Sequence, residues 1–204
     1  VLFRSGLAEP DLLTLYQIHS TEVLTVAADR WPSPGAPKAD GLVTDRPGVA
    51  LGVMAADCAP VLLADGKAGV IGAAHAGWKG ALAGVVDSTI TAMEKLGARR
   101  DGMVAVIGPC IGRESYEVGP EFPAPFMAQD KANERFFKVA PRAGHFIFDL
   151  AGYLLARLAR AGVEARATGH DTLTATDDFF SYRRNTLQGV RDYGRGLSAI
   201  ALKS

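Results

Sequence analysis

Apolar residues follow two rhythms along the chain. Short runs rich in Val, Leu, Ile and Ala, at Val49–Met54, Val61–Ala64, Val70–Ala74 and Val104–Ile107, read as strands buried on both faces. Leu12–Ile18 and Glu22–Ala27 read as two earlier strands, and Arg195–Leu202 as a closing one. Helical spacing appears twice. Leu82, Val85, Val86, Ile90 and Met93 predict a helix from about Gly80 to Leu96, stopped by Gly97. Asp149 is placed to cap a second helix, Leu150–Ala161, with Leu150, Leu154, Leu155 and Leu158 on one face and Gly162 past its end. The prolines in Trp31–Lys38 and Pro120–Phe126 predict irregular backbone in both stretches. No repeat or linker interrupts the pattern. It predicts one mixed α/β domain over residues 1–204, with a mixed β-sheet core flanked by helices. The opening Val1–Gly6 has no initiating Met and reads as non-native sequence.

Composition narrows the functional classes. Apolar residues make up 48% of the 204, enough for a substantial core. Lys and Arg total 22, as do Asp and Glu, so no polyanionic partner is suggested; neither a nucleic acid nor an anionic membrane surface fits. No apolar run is long enough to span a bilayer, and no signal peptide is visible. With only Cys58 and Cys110, a disulfide framework is not expected, and a reducing cytoplasm suits the chain.

The chemistry concentrates at strand ends. Cys58 follows one apolar run and precedes Pro60, which is expected to end ladder pairing and leave the thiol facing a cleft. His75 ends another run, among Ala73, Ala74, Ala76 and Gly77, whose small size lets a ligand approach closely. His19 is the third candidate. Two His and one Cys make a three-ligand set that suits zinc and leaves a fourth position open. Separations of 39 and 17 residues match no local metal finger, so the fold must assemble the site. The same residues also allow a metal-free scheme, with Cys58 as nucleophile and His75 as its base. Asp57 can orient a ligand or contact substrate, Trp78 can stack on a planar base, and Lys79 can hold an anion. In Phe179-Phe180-Ser181-Tyr182-Arg183-Arg184, strand alternation would send the two arginines to opposite faces, with Arg183 toward the site. Cys110 reads as structural, and His145 and His170 lie outside the site.

These motifs occur in a recognisable order. Gln17-Ile18-His19, Ala39-Asp40-Gly41-Leu42-Val43-Thr44, Ala56-Asp57-Cys58-Ala59-Pro60, His75-Ala76-Gly77-Trp78-Lys79-Gly80, Gly108-Pro109-Cys110-Ile111, Tyr116-Glu117-Val118-Gly119 and Phe179-Phe180-Ser181-Tyr182-Arg183-Arg184 resemble the YfiH-like family. That family has been described as multicopper polyphenol oxidase (laccase-like), as purine nucleoside phosphorylase and as peptidoglycan editing factor. The resemblance implies a cytoplasmic α/β enzyme with zinc on His19, Cys58 and His75. It also implies purine nucleoside and phosphate as substrates. The reactions implied are phosphorolysis of adenosine, inosine, guanosine and methylthioadenosine, and deamination of adenosine. An amidase acting on peptidoglycan precursors is the alternative. True laccase chemistry fits poorly, because only His19, His75, His145 and His170 are present and none forms a His-X-His pair, although one copper could take the zinc site. The chain departs from the family pattern in lacking an N-terminal Gly-Gly-Val-Ser-like motif, in Ser20 where Gly is common, and in Asn185-Thr186 where Asp-Gly is common.

Overall fold

The computed structural model describes residues 12–27, 31 and 35–203. The expectation for Val1–Gly6, and that for residues 32–34 of the proline-rich loop, lie outside the described residues.

The strands are β1 (Leu12–Leu13), β2 (Val23–Thr25), β3 (Gly41–Thr44), β4 (Ala50–Ala55), β5 (Ala59–Asp65), β6 (Val70–Ala76), β7 (Met103–Ile107), β8 (Glu117–Val118), β9 (Phe137–Val139), β10 (Phe146–Phe148), β11 (Glu164–Ala167) and β12 (Gly196–Ala201). The helices are α1 (Trp78–Ala83), α2 (Val85–Lys95), α3 (Pro123–Gln129), α4 (Leu150–Arg160) and α5 (Tyr182–Leu187). A six-stranded mixed sheet runs β11-β7-β5-β6-β3-β2, and two three-stranded sheets run β1-β4-β12 and β8-β10-β9.

The central strands are apolar on both sides, and the pleat sorts their side chains. Val43, Val61, Leu63, Val70 and Ala74 join a core with Val86, Ile90 and Met93 of α2 and Leu154 and Leu158 of α4. Leu42, Leu62, Ile71 and Ala73, one residue out of phase, join a second core with Leu13, Leu51, Val53 and Ile200 of the β1-β4-β12 sheet. The architecture is therefore layered: helices, large sheet, small sheet. Antiparallel pairing of Pro60 with His75 brings the ends of β5 and β6 together, which places Cys58 beside the last residues of β6.

Four sequence expectations shift, each for a visible reason. The strand expected over Leu12–Ile18 stops at Leu13. From there the Gln17 side chain takes over the pairing, donating to the Met54 carbonyl at 2.7 Å and accepting from its N–H at 2.8 Å. The backbone is thus free to turn away toward His19. Pro60 does not end the ladder but lies within β5, where its carbonyl accepts from Gly108 N–H at 2.8 Å. Partway along β5, pairing with β7 begins at Val61. Pro120–Phe126 is not irregular throughout, because Pro123 opens α3, a position where the missing N–H costs nothing. The helix expected from Gly80 is two helices, divided at Gly84, whose φ of 103° only glycine adopts easily. The capped helix after Asp149 forms as the pattern predicts, with the carboxylate accepting from Gly152 N–H at 2.8 Å.

The break at Gly84 leaves carbonyls at the end of α1 without helical partners. Arg157 of α4 closes the gap. Its guanidinium donates to the Leu82 carbonyl at 3.0 Å and to the Tyr153 hydroxyl at 3.0 Å, and pairs with Asp87 of α2 at 2.6 Å. Three helices are joined by one side chain. Arg157→Ala is expected to lower unfolding free energy by about 1–3 kcal/mol, since it strands several partly buried partners together. Urea denaturation of the two proteins measures this directly.

Candidate functional site

The site is built around Asp40, which is fully buried just before β3. One carboxylate oxygen accepts from the N–H of Ile18 at 3.1 Å, from the N–H of Ser20 at 2.6 Å and from the Ser20 hydroxyl at 2.8 Å. The other accepts from His19 N–H at 3.0 Å and contacts His75 Nδ1 at 2.9 Å. Three consecutive backbone donors thus wrap one carboxylate, and the wrap holds His19 at a φ of 61°, a region that non-glycine residues seldom enter. Burial opposes ionisation of Asp40, but the bonds from His75, Ser20 and Ile18 outweigh it and hold its pKa well below the usual carboxylate range.

The three sequence-derived donors meet here. One ligand-capable atom from each of His19, Cys58 and His75 lies within 4.8 Å of the other two. Cys58 Sγ is 3.7 Å from His19 Nε2, and the two imidazole rings meet edge to face at 4.9 Å. Since Nδ1 of His75 faces Asp40, its Nε2 is left for a ligand, the usual arrangement where a carboxylate orients a metal-binding histidine. A tetrahedral ion with Zn–S and Zn–N bonds of about 2.3 and 2.1 Å would hold S and N about 3.6 Å apart, close to the observed spacing. Gly77 keeps the space clear: a Cβ there would come within 2.7 Å of His19 Cδ2 and 2.9 Å of Cys58 Sγ. The donor set and its cleared space therefore fit one metal ion.

The ionisation of these groups favours the same use. Burial resists the Cys58 thiolate, yet hydrogen bonding from His19 and His75 brings the thiol down to about 7. Burial likewise resists charge on His75, but Asp40 and Cys58 raise it to about 9. Both shifts favour the ion pair over the neutral thiol and imidazole, and the proton it holds would pass to solvent if a metal bound.

His19 and Cys58 line a cleft of about 710 Å³, with the buried His75 behind them. Trp78, Phe122 and Tyr116 form one wall, with Trp78 and Phe122 rings 4.8 Å apart and Tyr116 and Phe122 rings 6.0 Å apart. Lys79 and Arg183 bring positive charge to the same cleft. Lys79 is exposed, with its ammonium 5.6 Å from the Trp78 ring centre. Arg183 lies 5.5 Å from the Tyr116 ring centre and donates to the Glu117 carbonyl at 2.8 Å. Burial, and then the Cys58 thiolate nearby, push the Tyr116 hydroxyl upward, so it stays a neutral donor.

The segment expected as a strand is instead α5, capped by the Ser181 side chain, which accepts from Arg184 N–H at 3.1 Å. Arg183 still reaches the cleft. Arg184 points elsewhere, donating to the carbonyls of Thr172, Leu173 and Phe179. Asp57 lines the cleft, but both its carboxylate oxygens are occupied by protein donors, Thr172 Oγ1 at 2.7 Å and Arg183 N–H at 2.6 Å. Cys110 is buried, and burial raises its thiol to about 12. His145 sits against the Ala143 carbonyl and His170 against Phe179, both apart from the donor cluster. Sequence reasoning about the site missed Asp40, Tyr116 and Phe122. A lone Asp between Ala39 and Gly41, at the start of an apolar strand, was the available signal for the first.

The profile of the family described as multi-copper polyphenol oxidoreductase laccase matches residues 2–203. The chain belongs to that family. Family relatives include a protein from Deinococcus radiodurans that is 42% identical over 91% of this chain and 70% of its own length. Another, from Rickettsia conorii, is 38% identical over 95% of this chain and 79% of its own. Both are named purine nucleoside phosphorylase, as is Escherichia coli YfiH at 36% identity over 92% of this chain and 74% of its own length. Among solved structures, a Neisseria meningitidis protein superposes with a TM-score of 0.85 at 36% identity, covering 100% of this chain and 78% of that one. Bacillus licheniformis YfiH superposes at 0.87 with 27% identity, covering 99% and 78%. The mixed α/β fold and the YfiH-like resemblance of the sequence motifs agree with these likenesses.

Asp40→Asn replaces one acceptor with a donor that faces backbone N–H groups. It is expected to cost about 2–3 kcal/mol of stability at pH 7. Because the folded-state pKa of Asp40 is depressed, its contribution is complete above the unfolded value of about 3.9 and is lost as pH falls below it. Denaturation at pH 7 and at pH 3 is expected to show the gap between wild type and variant shrinking in acid.

Proposed function

We propose that this chain is a zinc-dependent purine nucleoside enzyme that cleaves nucleosides with phosphate. The observation that carries the reading is the His19–Cys58–His75 donor triangle, two of whose members line one cleft with an aromatic wall and two cationic side chains. The names of the relatives support the same chemistry. The family's description points to several coppers, but the chain has four histidines, and among the described residues only one group of donors could hold a metal. A single ion is the better reading.

Zinc held by His19 Nε2, Cys58 Sγ and His75 Nε2 would supply Lewis acidity and lower the pKa of a water at its open position. The chain supplies the rest. The Trp78–Phe122 wall faces the purine base, burying its apolar surface. Arg183 and Lys79 hold phosphate, so that one of its oxygens attacks C1′ while the C1′–N9 bond breaks and its electron pair leaves with the base. Asp40 fixes the His75 ring throughout. Adenosine, inosine, guanosine and methylthioadenosine are the substrates proposed. With water in place of phosphate, the same cleft would deaminate adenosine, water adding at C6 and ammonia leaving.

Product analysis by mass spectrometry tests this. With adenosine and phosphate, the protein is expected to give adenine and ribose 1-phosphate, or inosine, with activity lost on chelation and restored by zinc. Cys58→Ala is expected to lower turnover at least a hundredfold, since it removes a donor and leaves two imidazoles. A second reading keeps Cys58 as nucleophile and His75 as its base, in an amidase acting on peptidoglycan precursors; His19 Nε2, 3.7 Å from Cys58 Sγ, is close enough to share that role. Full activity in metal-free protein would sink the zinc mechanism in favour of that one.

A further inference from the structure

Asp57 is strained, buried and fully bonded, yet it belongs to no catalytic step described above. Its φ is 85°, a conformation that L residues seldom adopt and that persists where the surroundings enforce it. Three separate segments hold it here. The Asp57 carbonyl accepts from Ile111 N–H at 3.0 Å, its carboxylate accepts from Thr172 Oγ1 and from Arg183 N–H, and its chain neighbour is Cys58. Arg183 is 126 residues away in sequence. The bond of 2.6 Å to its N–H also satisfies a donor in the first turn of α5, a place where a carboxylate suits the helix end.

We propose that Asp57 is a positioning residue that ties the Cys58 donor to the backbone from which the Arg183 side chain reaches the cleft, fixing the distance between the metal position and the anion position. The inference rests on the reading of the cleft as a zinc- and phosphate-binding site. Two bonds converge on the carboxylate. The left-handed backbone aims Cys58 back toward His19 and His75 while the side chain reaches α5. Movement of either end is transmitted through a residue bonded at both carboxylate oxygens and at its carbonyl. Asp57 therefore acts through Cys58 on the metal and through Arg183 on the anion, without touching either.

The test uses binding rather than turnover. Zinc affinity is measured by competition with a chromophoric chelator, and inorganic phosphate affinity of the zinc-loaded protein by calorimetry. Asp57→Gly keeps the backbone conformation accessible and removes the carboxylate. It is expected to weaken zinc binding about tenfold or more, the usual effect of losing a group that orients a ligand, and to weaken phosphate binding as well. Asp57→Asn tolerates the same φ, can accept from Arg183 N–H and donate to the Thr172 oxygen, and is expected to restore most of both affinities. Arg183→Ala is expected to weaken phosphate alone. In the double variant Asp57→Gly/Arg183→Ala, the phosphate loss is expected to be no greater than in Arg183→Ala, because the two residues act on phosphate in series.

Additive phosphate losses in the double variant, or unchanged zinc affinity in Asp57→Gly, would overturn the proposal. Should Asp57→Gly fail to fold, Thr172→Val removes one of the two donors and is expected to weaken zinc about threefold to tenfold; no change there would overturn it equally. If wild-type protein binds zinc but no phosphate, the phosphorylase reading falls, while the zinc measurements still decide the role of Asp57.

Discussion

The carboxylate of Asp40 is the interaction on which the candidate site depends. It sits at the entry to β3, an interior strand of the large sheet, with no exposed surface, and it is the meeting point of a loop upstream and a strand end downstream. Without it, three neighbouring N–H groups would point at one another's dipoles and His19 would relax from its left-handed conformation. With it, both imidazoles acquire fixed positions from a single buried charge. The physical trade is one desolvated carboxylate set against five donor contacts, which is why its proton affinity falls despite burial.

The layered core was legible in the sequence because period-two alternation on a strand buried from both sides leaves a direct trace. Leu42 and Val43, or Leu62 and Leu63, are both apolar and go to different cores. The donors His19, Cys58 and His75 were legible for another reason: reactive side chains among small residues at strand ends have few structural explanations. Asp40 was harder to read, because its partners lie about twenty residues before it and 35 after it, and the lone Asp before an apolar strand says that a charge is buried but not what it holds. The two arginines after Tyr182 show the opposite failure. The expectation followed strand alternation, although Ser181 is a residue type favoured at helix N-caps, and in the structure it accepts from Arg184 N–H. Gly84 and Pro123 were misread in the same way, since a glycine within helical spacing can divide a helix and a proline can begin one.

The fold explains how such a mixed group of side chains shares one cleft. Antiparallel β5 and β6 deliver Cys58 and His75 at adjacent ends, and the chain leaves β6 directly into α1, so Trp78 and Lys79 come within reach of the same place. Aromatic rings continue from Trp78 through Phe122 and Phe126 to Tyr153 in the core, so the cleft wall is the outer end of a packed stack and not a loose flap. That stiffness matches a site whose donors are already near a ligand's bond lengths.

The donors come from positions 19, 58 and 75, and each is placed by long-range contacts, so the unfolded chain has no comparable site. An ion that binds there counts entirely toward the folded state. Each tenfold in its affinity is worth about 1.4 kcal/mol of apparent stability once the site is saturated. With an ion bound there, thermal unfolding would also be a metal-ion titration. Damage at the cleft will register on heating with the size usually ascribed to a lost core side chain, although neither hydrophobic layer has been touched.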